Sequence, residues 1–244
     1  MPNVRDRIIR QEIYKAVRDY LPEDHARPQS LPDYTAERCA LSPALKKVLD
    51  LGCGEGSSMD LFQRLDPDTD WHGVDIEDSP EVKQRIRQSD RIASFNGVDL
   101  PYPDQYFDLI FCRQVLEHAR HPDRLMTDAF RVLKTGGIFL GSVSYLEPYH
   151  SYSIFNFTPY GIVRVFEDAG FKLVEIRPEI DASLMILRQL FNRSRLLSPV
   201  WRHNFFYGIT DLIGYLLGLE PRLRNFLKIQ FSGHLIFLAR RPES

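Results

Sequence analysis

Apolar positions along the chain change their period from block to block. Val4, Ile8, Ile9, Ile13, Val17 and Leu21 recur at helical spacing, which predicts an amphipathic helix over residues 3–21. Pro22, Pro28 and Pro32 then interrupt regular structure. From Lys47 short, almost wholly apolar runs take over, and residues 48–51, 71–75, 107–112, 138–143, 171–176 and 231–239 read as strands. Helical patterns lie between them. One carries Met59, Leu61, Phe62 and Leu65; another carries Leu125, Met126, Ala129, Phe130 and Leu133 and is expected to stop at Gly136-Gly137. A third spans residues 158–169, with Thr158 as its cap, Pro159 in its first position and Gly170 closing it.

Apolar strands alternating with helices predict an α/β fold whose parallel sheet is covered on both faces. The stretch before the last strand, residues 183–230, is far longer than an ordinary connection and calls for structure of its own. The expected organisation is a helical cap at 1–44, a core at 45–182, a helical insertion at 183–230, and the last strand with a tail at 231–244.

The first strand feeds Gly52-Cys53-Gly54-Glu55-Gly56 and then a helix. Glycine lets the backbone approach a ligand closely, and a helix N-terminus offers N–H groups. Dinucleotides and S-adenosylmethionine both use this geometry. A dinucleotide loop places its third small residue one position later, where Ser57 stands. Asp50 before the loop and Glu55 within it would repel a pyrophosphate but suit a ligand with sulfonium and ammonium groups. Asp75 ends the second strand, 23 positions after Gly52, where an acid can accept from both ribose hydroxyls of either cofactor.

Residues 48–56 resemble the first motif of class I methyltransferases that use S-adenosylmethionine. Asn96-Gly97-Val98-Asp99-Leu100-Pro101-Tyr102-Pro103-Asp104 is similar to that family's adenine-contact segment. Phe107-Asp108-Leu109-Ile110 with Gln114-Val115-Leu116-Glu117-His118 resembles its fourth strand and following turn. Arg131-Val132-Leu133-Lys134-Thr135-Gly136-Gly137 resembles the approach to its fifth. These motifs stand in family order over roughly residues 45 to 180, and the group most resembled methylates small molecules, lipids and sugars. The resemblance implies a Rossmann-like, doubly wound seven-stranded sheet with the last strand antiparallel. It also implies that Asp50, Leu51, Gly52, Cys53 and Gly54 line the methionine end of the cofactor. Asp75 and Ile76 would hold the ribose and the adenine face. Asp99 would accept from the adenine amino group, Leu100 would donate its backbone N–H, and Arg113 would sit where backbone carbonyls meet the ammonium.

Composition narrows the alternatives. Apolar residues make up 43% and charged residues 26%, with a net charge of -2, so neither disorder nor a general attraction to nucleic acid is expected. Cys39, Cys53 and Cys112 have no zinc spacing and no disulfide pattern; Cys53 and Cys112 read as small buried hydrophobes in a reducing, cytoplasmic setting. No metal is expected. The charged stretch from Arg5 to Arg10 has no apolar signal core, and no uncharged apolar run reaches the length of a membrane span.

The acceptor is less legible. A hydroxyl acceptor benefits from a base, and His118 and His150 follow the fourth and fifth strands, with Tyr145, Glu147 and Tyr149 behind them. His72 and His121 read as surface or turn residues. These histidines favour oxygen as the methylated atom, with carbon or nitrogen as the alternative. Residues 183–230 hold seven Lys/Arg against Asp211 and Glu220, interleaved with Phe191, Trp201, Phe205, Phe206, Tyr207, Tyr215 and Phe226. That mixture suits peripheral contact with an anionic membrane at its inner face, an apolar lid over the acceptor, or a plain scaffold. Two rival readings remain open: a non-catalytic domain that binds the cofactor, and a nicotinamide enzyme, against which Asp50 and Glu55 argue.

Overall fold

Neighbouring residues in the central strands go to opposite faces of one sheet. Val48, Leu109, Ile138 and Ile236 join one apolar cluster, while Leu49, Ile110, Phe139 and Phe237 join another. The computed structural model describes residues 11–42, 44–87, 89–147, 151–192 and 204–243.

The strands are β1 (Lys47–Leu51), β2 (Asp70–Ile76), β3 (Ile92–Phe95), β4 (Phe107–Arg113), β5 (Leu133–Ser144), β6 (Lys172–Pro178) and β7 (His234–Arg240). They form one sheet in the order β3-β2-β1-β4-β5-β7-β6, with β7 antiparallel to both neighbours. This is the seven-stranded doubly wound arrangement that the resemblance implies. The order reverses between β1 and β4, and ligands of such sheets bind beyond the strand C-termini at that point.

Helices cover both faces. On one lie α1 (Gln11–Val17), α5 (Pro122–Val132), α6 (Pro159–Asp168) and α9 (Pro221–Ile229). Their apolar sides include Val17, Met126, Phe166 and Phe226. On the other lie α2 (Leu31–Leu41) and α3 (Ser58–Leu65), which supply Leu31, Tyr34 and Phe62. A short α4 (Pro80–Lys83) follows β2, and α7 (Ala182–Leu190) and α8 (Phe205–Leu216) precede α9. Thr158 caps α6 through its hydroxyl on the Gly161 N–H at 3.0 Å, with Pro159 in the first turn.

Several expectations change. The N-terminal helix covers Gln11–Val17, and Arg18–Tyr20 tightens into a 3-10 turn; the expected residues 3–10 lie outside the described residues. Val17 and Leu21 are buried, but Ile13 is exposed. Pro32 sits in the first turn of α2, where its missing N–H does no harm. Gly136-Gly137 does not stop a helix. α5 ends at Val132, and β5 starts at once and runs through the glycines, with the Gly136 N–H donating to the Arg241 carbonyl at 3.0 Å. His72 is a half-buried residue of β2, edge-on to Tyr102, Tyr106 and Phe107.

The basic residues of α9 are tied into the fold. Arg224 and Lys228 both pair with Asp211, at 2.8 and 2.6 Å, and Arg222 pairs with Glu23. Asn225 donates to the carbonyls of Pro22 and His25 at 3.1 and 2.8 Å. The segment between α1 and α2 is thereby laced to the last helix. Arg193, Arg195 and Arg202 lie outside the described residues.

Candidate functional site

β1 is apolar and buried, so its C-terminal end is fixed and the chain must turn there under constraint. Gly52, Gly54 and Gly56 all take positive φ. Gly52 has a second reason to be glycine: a Cβ there would stand 2.3 Å from Val115 Cγ2 in the turn after β4. The two turns that border the switch point are therefore in direct contact.

The loop's amides are engaged by β2. The N–H groups of Gly52 and Cys53 both donate to the Val74 carbonyl, at 2.8 and 3.0 Å. The Gly54 N–H donates to Asp75 Oδ2 at 2.7 Å. Arg85 holds the same residue from its other side, with Nε donating to the Gly54 carbonyl at 2.6 Å. These three amides are engaged within the protein and do not form an anion nest.

Two acids, Asp50 and Asp75, stand near the C-terminal ends of β1 and β2. Asp50 is buried and accepts from the Ser58 hydroxyl, which in turn accepts from Trp71 Nε1 at 2.9 Å. Burial pushes the Asp50 carboxyl up to about 7; the Ser58 hydrogen bond opposes this, nearby Asp75 adds to it, and Arg113 moderates it. Asp75 is also raised by burial, against the hydrogen bonds it accepts from Gly54 and Ile76. Asp50 therefore resists ionising until a positive group arrives.

The remaining expected positions have defined places. Leu51 and Cys53 are buried, and Ile76 is exposed at the end of β2 beside Gly97. Asn96 folds the segment that follows β3: its Oδ1 accepts from the Val98 and Asp99 N–H groups, and its amide donates to Asp99 Oδ2 at 2.7 Å. Arg131 fixes this segment from below, reaching the carbonyls of Tyr102 and Leu100. One expectation needs correcting. The Leu100 N–H donates to Asp128 Oδ2 at 2.6 Å, so it is already engaged within the protein and is not presented to a ligand. Arg113 is exposed at the end of β4, facing Ser142 in register.

On the acceptor side, the His118 N–H closes a turn onto the Val115 carbonyl at 2.9 Å. His150 and Tyr149 lie outside the described residues. The structure adds a polar cluster that the sequence reading did not single out. His234, opposite Ser144 at the end of β5, places Nε2 2.8 Å from Glu147 and Nδ1 3.6 Å from Glu179, with the Gln114 amide against the ring at 2.6 Å. Burial lowers the imidazole, but the hydrogen bonds and charges of Glu147 and Glu179 outweigh it and raise the group to about 9. At neutral pH the two carboxylates favour the imidazolium form of His234. Glu147 also accepts from the Ser144 hydroxyl, whose backbone N–H donates to the buried Glu117 at 2.9 Å. Among the described residues no group of three or more His, Cys, Asp or Glu could hold a metal ion.

Residues 49–141 match the family model described as a methyltransferase domain. A Mycolicibacterium smegmatis protein described as a probable S-adenosylmethionine-dependent methyltransferase is 30% identical over 151 residues, 57% of this chain and 55% of that one. A ubiquinone/menaquinone biosynthesis C-methyltransferase of Bordetella avium is 34% identical over 113 residues, 44% of each chain. This chain thus spans about half the length of the curated relatives it matches. Among solved structures, geranyl diphosphate C-methyltransferase of Streptomyces coelicolor A3(2), bound to Mg2+, geranyl diphosphate and S-adenosyl-L-homocysteine, superposes with a TM-score of 0.53 at 16% identity, covering 86% of this chain and 77% of that one. At that identity the likeness is one of fold. Residues 49–141 thus match a methyltransferase domain, and the sheet order and the glycine loop agree with the class I, S-adenosylmethionine-dependent fold.

Proposed function

We propose that the protein transfers a methyl group from S-adenosylmethionine to a small-molecule, glycan or lipid-linked acceptor, at oxygen. The observation that carries the first half is the state of the loop. Its amides are taken by Val74 and Asp75, and the pocket edge presents Asp50 and Asp75 instead of free donors. Such an edge repels a diphosphate and attracts a positively charged nucleoside.

S-adenosylmethionine supplies an electrophilic methyl group on a sulfonium. Asp75 uses one lone pair on each oxygen for Gly54 and Ile76 and keeps the others for ribose hydroxyls. Ile76 offers an apolar face for adenine, and Asp99 accepts from the exocyclic amine. Asp50 and the residues Leu51 to Gly54 line the methionine end, where the ammonium lowers the cost of ionising Asp50.

Oxygen is favoured because the segments that follow the fourth and fifth strands carry side chains able to take a hydroxyl proton. His118 and His150 remain the candidate bases, and Glu147, 2.8 Å from His234 Nε2, joins them. A second reading, methyl transfer to carbon, draws on the Bordetella avium relative, whose name specifies a C-methyltransferase. We place the protein in the cytoplasm, in keeping with its three free cysteines.

Calorimetry with S-adenosylhomocysteine, followed by incubation of the full chain with methyl-labelled cofactor and a cell extract, tests the reading. Binding plus a labelled product supports it, and release of labelled methyl iodide by hydriodic acid separates an O-methyl product from a C-methyl one. Binding without product in any extract would leave a cofactor-binding module, and no binding would remove the reading altogether.

A further inference from the structure

The outer side of α8 is apolar in a way that neither the core nor the cofactor site uses. Phe205, Ile209, Leu212 and Leu216 recur along one stripe of the helix, with Ile213 and Tyr215 beside it, and all six are exposed, Phe205 and Leu216 by more than 70%. A surface helix normally turns such a stripe inward. Here Tyr207 and Gly214 face inward instead. The Tyr207 hydroxyl lies 2.5 Å from Ser232 Oγ, and Gly214 packs on the stem of Arg224, which a Cβ would strike at 2.8 Å. The one charged residue of α8, Asp211, pairs with Arg224 and Lys228 of α9. The orientation of the helix is therefore set by contacts that hold the apolar stripe toward solvent. α7, which touches α8, adds exposed Ile186, Leu187 and Leu190.

Charge identifies the occupant. Residues 182–210 contain Arg188, Arg193, Arg195 and Arg202 and no Asp or Glu. A protein partner would be met by hydrogen-bonding groups spread across the face, and the six exposed side chains of α8 offer the Tyr215 hydroxyl. Exposed apolar side chains on two helices whose joining segment is basic and free of acids in sequence match the boundary between headgroups and acyl chains of an anionic bilayer. No helix among the described residues is long and apolar enough to cross a membrane, so the contact is peripheral.

The face also sits at the right edge. Tyr207 and Asp181 both engage Ser232, Met185 packs on Gly233, and the Gly233 carbonyl accepts the Tyr145 N–H at 2.8 Å. The next residue, His234, opens β7 opposite Ser144. α7 and α8 thus hang from the strand ends that border the acceptor side.

We propose that the α7–α8 face docks on an anionic lipid bilayer and turns the acceptor edge of the sheet toward it. If the methyl-transfer reading holds, on which this second step rests, the acceptor is lipid-borne.

Flotation of the full chain with phosphatidylcholine vesicles, with and without phosphatidylglycerol, tests the docking. The wild type is expected to float with the anionic vesicles and to lose binding as salt rises. The double variant Leu212→Glu/Leu216→Glu is expected to float at least about tenfold less, since each change withdraws a buried leucine's worth of apolar contact. Its melting temperature and its affinity for S-adenosylhomocysteine should not move, because both side chains are exposed. Absence of flotation, or equal flotation of the variant, overturns the proposal. So does a wild-type dimer that the variant abolishes in sedimentation without any flotation, which would assign the face to a second copy. Flotation by a chain that fails to bind S-adenosylhomocysteine keeps the docking surface and removes the methyl-transfer reading.

Discussion

The carboxylate of Asp75 accepts the Gly54 N–H at 2.7 Å, so the end of β2 holds the glycine loop in the shape it would need for a nucleoside. The same carboxylate is the candidate ribose acceptor. Removing it takes away a loop anchor and a ligand contact together. Asp75→Ala should weaken S-adenosylhomocysteine binding by about tenfold to a hundredfold, the range for hydrogen bonds to a charged group. Asp75→Asn keeps one acceptor oxygen and should fall between the two. Calorimetry on folded protein decides, and an unchanged dissociation constant for the alanine variant would remove Asp75 from the site.

Gly52 tests whether the loop's shape, apart from its charge, matters. An alanine there must hold φ near +75° and push its Cβ into Val115. The two effects together should cost about 2 to 4 kcal/mol of stability and loop order. Adding Val115→Ala relieves the overlap but not the backbone strain. Gly52→Ala should therefore lower the melting temperature and the cofactor affinity, and the double variant should recover part of both. Full recovery would mean that the positive φ is unimportant.

These two residues were legible in the sequence because an apolar strand, a glycine turn and an acid one strand later can assemble in few ways. Other parts were not. β3 is four residues long and only half-buried at the sheet edge, so Ile92-Ala93-Ser94-Phe95 lacks the apolar run that marked the central strands. Gly136-Gly137 carries the signature of a helix end, but β5 begins at Leu133 before the glycines are reached. Ile13 keeps the helical period of its neighbours yet is exposed, because period alone does not say how wide the covered stripe is. Arg85 lies in a stretch without periodicity, and nothing in its neighbours announces that it grips Gly54. His234 was hidden for a different reason: its partners Glu147, Glu179 and Gln114 lie 55 to 120 positions away, and the antiparallel pairing of β5, β7 and β6 brings them together.

Asp50 should make cofactor binding release a proton. Its carboxyl is held near 7 by burial, so at neutral pH a good part of the free protein carries it protonated. A ligand ammonium beside it favours the carboxylate. Near pH 6.5, binding of S-adenosylhomocysteine should release up to about three-quarters of a proton, read from calorimetry in two buffers of different ionisation enthalpy. Asp50→Asn should abolish the difference between buffers and weaken binding. In the free protein the sign runs the same way: ionising this raised acid lowers stability as pH climbs from about 4 to about 7. Equal heats in both buffers for the wild type would contradict the assignment of Asp50 to the cationic end.

The His234 cluster predicts the opposite end of the pH range. Its imidazole is raised to about 9 despite burial, by Glu147 and Glu179. A group whose folded value exceeds its free value stabilises the fold fully below the free value, near pH 6.5, and loses that contribution as pH rises through about 9. The stake is about 3 kcal/mol at most. His234→Gln can still donate to Glu147 but carries no charge. Relative to this variant, the wild type should be more stable at pH 6 and should lose its advantage between pH 6.5 and 9, measured by urea midpoints across that range. Arg113 and Glu117 sit on neighbouring segments, and they are present in both proteins, so the difference isolates the imidazolium. If the cluster also orients Glu147 toward the acceptor, methyl transfer should fall in His234→Gln while affinity for S-adenosylhomocysteine stays put. A variant whose stability gap does not narrow above pH 6.5 would show that His234 is neutral in the folded protein, and the charged arrangement of the acceptor edge would have to be abandoned.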